Sequence, residues 1–234
     1  MNLELILTCE HAGNEIPEQY EALFAHASEV LQTHRGYDPG ALDLFRDLSR
    51  LATFSQEYMI SRLLVEPNRS LGHPQLFSEF TRELPESEKE ELLEEFYLPY
   101  RHYIETRISQ YIATGGEVLQ LSVHSFTPEL NGEIRNADIG LLFDPEREEE
   151  AEFCNRFQKS LLKQDGELQV KFNYPYLGIA DGFTTSLREK FPKQYMGIEL
   201  EVNQKFVSNN IMEKRLKNVI FEAILCSCPV FLSS

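Results

Sequence analysis

The stretch Leu3-Glu4-Leu5-Ile6-Leu7-Thr8-Cys9-Glu10-His11-Ala12-Gly13-Asn14-Glu15-Ile16-Pro17 decides how the chain is read. Leu3 to Cys9 is a short apolar run of the length of a buried strand. It stops where an acid, an imidazole and a glycine arrive together. Outward from it, Gly40 to Leu51 carries Leu42, Phe45, Leu48 and Leu51 at helical spacing, and Glu57 to Val65 reads as a second strand closed by Pro67. A long helix follows, opened by a Ser87/Glu90 capping box, with Leu92, Leu93, Phe96, Tyr100, Tyr103 and Ile104 as its inner stripe. Pro99 falls inside that pattern and predicts a kink or break. Glu117 to Val123 and Ala137 to Phe143 read as strands, Glu148 to Leu162 as a helix, and Glu167 to Phe172 as a strand. A short helix around Thr185 to Lys190, a strand at Gly197 to Val202, a helix at Ile211 to Leu225 and a final strand at Cys228 to Leu232 complete the order. Strands separated by helices of this length predict an α/β fold with a mainly parallel sheet covered on both faces.

The 234 residues fit a single domain, 1–234, with no repeat and no Gly/Ser-rich linker. With 38 acidic and 22 basic side chains the formal charge is -16, which argues against nucleic acid and against an anionic membrane surface. No apolar run reaches the roughly 20 residues of a membrane span. The N-terminal Met1-Asn2-Leu3-Glu4 lacks the basic region of a signal peptide, so a cytoplasmic location is expected. Cys9, Cys154, Cys226 and Cys228 form no disulfide framework or zinc knuckle and are expected to be buried free thiols. Leu84 to Leu98 holds six Glu against one Lys, and Pro145 to Glu152 five Glu against one Arg. Both runs read as solvated outer faces.

In open α/β sheets the chemistry lies beyond the carboxyl ends of the strands. The segments there are Glu10-His11, Glu66-Pro67-Asn68-Arg69-Ser70, His124-Ser125, and Glu199 and Glu201 followed by Asn203-Gln204. His34-Arg35-Gly36-Tyr37-Asp38 lies between the first strand and the first helix. Two histidines among several carboxylates suit zinc, whose bound water has a pKa of roughly 7. A nearby free carboxylate could move the proton to a leaving nitrogen, and an arginine could hold a substrate carboxylate. Spacing alone leaves a structural role for each histidine open.

At these residues the chain resembles the N-formylglutamate amidohydrolase family. The matching stretches are TCEHAGNEIP (8–17), HRGYDPGA (34–41), VEPNRS (65–70), PYR (99–101), VHSFTP (123–128), RNADIGLLFD (135–144), YPYLGIADGFT (174–184) and IELEVNQ (198–204). They occur in the family's order and cover most of the chain. The resemblance implies a mixed sheet flanked by helices, like that of zinc carboxypeptidases, with one Zn2+ or another divalent metal at the strand ends. It implies hydrolysis of the amide of a small acidic N-acyl amino acid such as N-formylglutamate.

Residue by residue, His11 matches the first metal-ligand position and His124 the last. The wider superfamily carries a Glu three residues after the first His, where this chain has Asn14, so the middle ligand is expected at Asp38, with Glu15 and Glu10 as alternatives. Glu201 is expected as general base and acid, with Glu199, two residues earlier and on the same face, as substitute. Asn68, Arg69 and Arg135 match positions implied to bind the substrate carboxylates and the developing oxyanion. A salt bridge from Arg69 to Glu66 or Asp38 is the structural alternative. Asp138 is expected to orient a ligand histidine or Arg135, and Asp181 to cap a loop over the site or simply to serve the turn before Gly182. His26, His73 and His102 are read as surface or packing residues. The shortened HRGYD motif, where fuller members carry Asp-x-His-x-Asp, leaves the substrate open. A catalytically silent acid-binding module and a metallocarboxypeptidase acting on peptides are the competing readings.

Overall fold

The computed structural model describes residues 3–228. The central strands are β1 (Leu3–Cys9), β2 (Phe54–Glu57), β3 (Glu117–Phe126), β6 (Ile139–Leu142), β7 (Val170–Phe172) and β8 (Tyr195–Asn203). Two short ribbons are made by β4 (Glu129–Leu130) with β5 (Glu133–Ile134) and by β9 (Val207–Ser208) with β10 (Ile211–Met212). The six central strands lie in the order β2-β1-β3-β8-β6-β7. The first four are mutually parallel; β6 runs antiparallel to β8, and β7 is parallel to β6. The sheet is therefore mixed and mainly parallel.

The helices are α1 (Ser28–Leu31), α2 (Ala41–Leu48), α3 (Glu86–Leu92), α4 (Leu98–Ala113), α5 (Glu148–Gln164), α6 (Phe183–Lys190) and α7 (Lys214–Ser227). Strand periodicity divides the sheet into two unlike faces. On one, Leu5, Leu7, Leu119, Leu121, Val123, Ile198, Leu200 and Val202 form a continuous apolar layer against α2, α5 and α7. On the other, Ile6, Val118 and Tyr195 pack on α4 and α6 at the start of the strands. Toward the carboxyl ends the same face turns polar. Thr8, Gln120, Ser122, His124, Glu199 and Glu201 follow at alternate positions. The parallel register sets Ser122 beside Glu199 and His124 beside Glu201. Buried polar residues concentrated at one end of one face mark the site before any chemistry is considered.

Several expectations are corrected. Only Phe54–Glu57 is a strand; Tyr58 to Val65 turns away instead of extending. Leu63, Leu64 and Val65 bury into a third apolar cluster with Tyr20, Phe24 and Leu92. Their apolar run signalled burial, which periodicity cannot convert into extension. The capping box does not form: α3 starts at Glu86 behind Pro85, with no side-chain cap. A π-helical turn at Leu93–Tyr97 precedes Pro99, so the missing N–H is accommodated by widening rather than by a break. Tyr103, placed on the inner stripe, is half exposed. Ile211 and Met212 form β10, and α7 begins only at Lys214. Residues 229–232 of the expected last strand lie outside the described residues, and Cys228 itself is in no strand. Cys9, Cys154 and Cys228 are buried and in no disulfide among the described residues, but Cys226 is exposed. The second acidic run is not all solvated, because Glu150 is fully buried against Arg188.

Candidate active site

The carboxyl ends of β1 and β3 deliver His11 and His124, whose rings meet edge to face at 4.9 Å between centroids. Asp38 comes from the loop before α2. Its backbone N–H donates to the His11 carbonyl at 2.9 Å, which ties that loop to the end of β1. Asp38 Oδ2 then lies 3.3 Å from His11 Nδ1 and 3.0 Å from His124 Nδ1, and accepts from the Ser125 N–H at 3.3 Å. One donor atom from each of His11, Asp38 and His124 lies within 4.8 Å of the others, and all three residues are buried. Ligands about 2.1 Å from a tetrahedral ion stand about 3.4 Å apart, so this donor set fits a divalent cation.

The outer ring nitrogens are also engaged. His11 Nε2–H donates to Glu66 Oε1 at 2.6 Å, and His124 Nε2 lies 2.8 Å from Ser122 Oγ and 3.3 Å from Glu10 Oε2. This turns each Nδ1 toward the centre, where both face Asp38 Oδ2, and a ligand imidazole whose other nitrogen is held by a hydrogen-bond partner is typical of metal sites. Glu10 also accepts from Ser122 and from the Tyr100 hydroxyl. Arg62 closes the assembly: its Nε and an Nη atom meet Glu66 Oε2 at 2.6 and 2.5 Å, and its other Nη atom is 3.5 Å from Asp38 Oδ1.

Burial alone would raise all three carboxylates. For Asp38 the charge and hydrogen bonds of His11 and His124 outweigh it and hold the group well below the usual range. For Glu66 Arg62 and His11 do the same, and for Glu10 bonding by His124 and Ser122 brings the pKa to about 2. Burial and Arg62 oppose a charged His11, but Glu66 and Asp38 prevail and raise it; Asp38 and Glu10 raise His124 further. Glu201 is different. Burial dominates, and its pKa rises to about 7. Its Oε2 is buried with no hydrogen-bond partner among the described residues.

These groups floor a cavity of about 180 Å³ lined also by Asn68, Arg69, Tyr176, Leu177, Asp181 and Glu199. Asn68 Oδ1 accepts from the Phe183 N–H at 2.7 Å at the start of α6. Arg69 donates to the carbonyls of Asp181 and Asn68 at 2.7 and 3.2 Å, while its buried Nε has no partner. Asp181 accepts from the Ser70 hydroxyl and N–H, so it locks the far wall to the Asn68-Arg69 turn. Behind that turn, buried Arg101 donates to the carbonyls of Pro67 and Arg69, its guanidinium 4.3 Å from the Phe183 ring centre.

The structure thus gathers His11, Asp38, His124, Glu199, Glu201, Asn68 and Arg69 in one pocket. Arg135 stands outside it, stacked 5.1 Å over Tyr176 and donating to its hydroxyl at 3.2 Å. Arg69 makes no bridge to Glu66 or Asp38; Arg62 occupies both. Asp138 reaches no histidine: it binds Lys205 and the Gln169 N–H. Asn14 donates to the Leu31 carbonyl, and the Glu15 side chain is exposed. Neither belongs to the candidate metal centre. Glu10 stands behind His124, its Oε2 3.3 Å from Nε2, and supports that ring from the outer side. His26 and His102 are exposed, and His73 lies at a turn 4.0 Å from Asp181.

Sequence reading missed Arg62, Glu66 and Tyr176 as site residues. The one signal for the first two was a pair of charges four apart, Arg62 inside the apolar run 60–65 and Glu66 just after it.

The N-formylglutamate amidohydrolase family matches residues 3–208. No curated protein matches the sequence. A gene product of Agrobacterium tumefaciens is similar in structure with a TM-score of 0.77 and 26% identity, over 95% of this chain and 88% of that one. An N-formylglutamate amidohydrolase from Ralstonia eutropha JMP134 shares the fold with a TM-score of 0.66 and 16% identity, over 97% and 92%. The family match spans all of the pocket residues, from His11 to Glu201, and the chain belongs to the N-formylglutamate amidohydrolase family.

Proposed function

We propose that the protein is a metal-dependent amidohydrolase acting on a small acidic N-acyl amino acid such as N-formylglutamate, with one Zn2+ or similar divalent ion per chain. The observation that carries this reading is the convergence of His11, Asp38 and His124 beside a buried Glu201 carboxyl near neutrality. His11 Nδ1, His124 Nδ1 and Asp38 Oδ2 would hold the ion. When bound, it supplies Lewis acidity that polarises the amide carbonyl and acidifies water.

Glu201 takes the proton of the attacking water and returns it to the leaving nitrogen. Burial raises this carboxyl above the ordinary carboxylate range, which favours its taking up a proton and giving it back. Arg69 has spent one Nη on main-chain carbonyls and keeps an unpartnered Nε, which we assign to a substrate carboxylate, with Asn68 beside it. Arg135 acts through Tyr176: by donating to the phenol oxygen it leaves the hydroxyl proton free to meet the developing oxyanion. A cavity of about 180 Å³ suits a small substrate better than a peptide, which disfavours the carboxypeptidase reading. Four cysteines in no disulfide among the described residues fit a reducing compartment such as the cytoplasm.

The test is metal analysis of gently purified protein, followed by a hydrolysis screen of N-formyl and longer N-acyl derivatives of Glu and Asp alongside short peptides. Close to one equivalent of divalent metal and turnover of an N-acyl amino acid are expected. Protein that neither contains nor takes up metal would end this reading and favour a silent acid-binding module.

A further inference from the structure

We propose that Arg62 is a positioning residue that presets the metal centre by holding the outer oxygens of the two carboxylates flanking His11. The inference rests on the metal-dependent reading above. Each carboxylate divides its oxygens. Glu66 gives Oε1 to His11 Nε2 and Oε2 to Arg62; Asp38 gives Oδ2 to the two Nδ1 atoms and turns Oδ1 toward Arg62. A guanidinium is a rigid planar fork, so engaging both outer oxygens fixes which inner oxygen each carboxylate presents. Asp38 cannot then rotate its carboxylate freely, and Glu66 keeps its oxygen on the His11 ring. Main-chain donors act on the inner oxygens, Asn68 N–H on Glu66 Oε1 at 3.0 Å and Ser125 N–H on Asp38 Oδ2 at 3.3 Å, and Arg62 is the one side chain that meets the outer oxygens of both carboxylates.

The backbone around Arg62 is anchored to the same parts. Its N–H donates to the Gly36 carbonyl at 3.3 Å, and the Ser61 hydroxyl donates to that carbonyl at 2.9 Å, two residues before Asp38. The Ser61 N–H donates to the Glu15 carbonyl at 2.9 Å, four residues beyond His11. The turn that replaces the expected strand at Tyr58 to Val65 therefore has a use: it brings Arg62 between the His11 segment and the Asp38 loop. A strand there would have carried the side chain along the sheet instead.

Arg62→Lys separates orientation from charge, because an ammonium keeps the charge but cannot span both carboxylates in the fork geometry. Zn2+ affinity is measured by chelator competition on wild type and variant, with circular dichroism and melting of the metal-free proteins as the check on folding. Loss of an outer-shell partner weakens metal binding by about 10–100-fold, and a loss of at least about tenfold is expected here. A purely structural role would lower the melting temperature and leave the Zn2+ affinity of the folded protein alone. The loss should also be less than additive with that of Glu66→Gln, since both act on the same carboxylate. Arg62→Gln is measured in parallel and replaces Arg62→Lys if the latter does not fold. Wild-type affinity in the folded variant overturns the proposal. Failure of the wild type itself to bind Zn2+ would instead overturn the metal-dependent reading.

Discussion

His124 and Glu201 stand directly opposite one another on the parallel strands β3 and β8. One residue is a candidate ligand, with Nδ1 3.0 Å from Asp38, and the other is a buried carboxyl with an unpartnered oxygen. Strand register sets the candidate ligand beside the candidate proton-transfer group. Glu199 follows the same logic one step back, opposite Ser122. Site geometry is therefore inherited from the most rigid part of the fold.

Glu201→Gln should keep the metal and lose most hydrolysis. Removing a general base costs about 10²–10⁴ in rate, and the amide is nearly isosteric with the carboxyl. Metal content and kcat are read on the same preparation. A Gln variant with unimpaired kcat would transfer the role to Glu199, which also lines the pocket and whose pKa burial also raises.

Metal-free protein should be most stable in mildly acidic solution. Glu10, Asp38 and Glu66 have depressed pKa values in the folded state, so their stabilisation is present above the unfolded values, about 4.5 for the two Glu and about 3.8 for Asp38, and is lost as pH falls below them, for Glu10 toward about 2. His11 and His124 are raised, so theirs is complete below about 6.5 and is lost as pH rises through the folded values. Metal must displace those histidine protons, so loading should release protons near pH 7 and remove the alkaline decline. Melting temperature against pH, with and without chelator, reads both effects; identical profiles would mean that the histidines are not ligands.

Much of the site was legible in the sequence because its residues follow strand ends. His11 and His124 follow apolar runs, and Glu201 alternates with the apolar residues of another, and the type and order of these strands survive into the structure. What failed lies off the strands. Arg62 sits in a turn that looks like a strand by composition, and its partners Glu66 and Asp38 are four and 24 positions away, a closure that no period encodes. Arg135 looked equivalent to Arg69 as a motif residue, yet the segment carrying Tyr176 comes between it and the pocket. Glu150 was hidden in a run of glutamates. Only the position of Arg188 on α6 distinguishes it from its solvated neighbours.

Glu150→Ala should destabilise the protein by about 3–5 kcal/mol, the range for removing one partner of a buried ion pair. Glu150 Oε1 lies 3.0 Å from Arg188 Nε and accepts from the Gly197 N–H at 3.0 Å. Arg188 in turn donates to the carbonyls of Gly178 and Gly197, which joins the pocket wall to β8. Urea unfolding gives the magnitude. A change of under about 1 kcal/mol would place Glu150 among the solvated residues of its run, where surface ion pairs contribute little.

Gly140→Ala should cost more activity than stability. Gly140 faces Glu201 across the antiparallel β6–β8 pair. A Cβ there would collide with the Tyr174 carbonyl oxygen and stand 3.2 Å from the Glu201 Cβ. Neither obstacle is the end of a flexible side chain, so the strain must move a strand or the 173–176 segment. Overpacking of this kind costs about 1–3 kcal/mol, which a protein of this size can survive. Either displacement acts on the reaction: one shifts Glu201 and the other shifts Tyr176. Positioning errors of about 1 Å can cost about 10²-fold in rate, so kcat/KM should fall at least tenfold while metal content is kept. A folded Ala variant with wild-type kcat/KM would show that the site tolerates movement of β6 and that Tyr176 is not held by this contact.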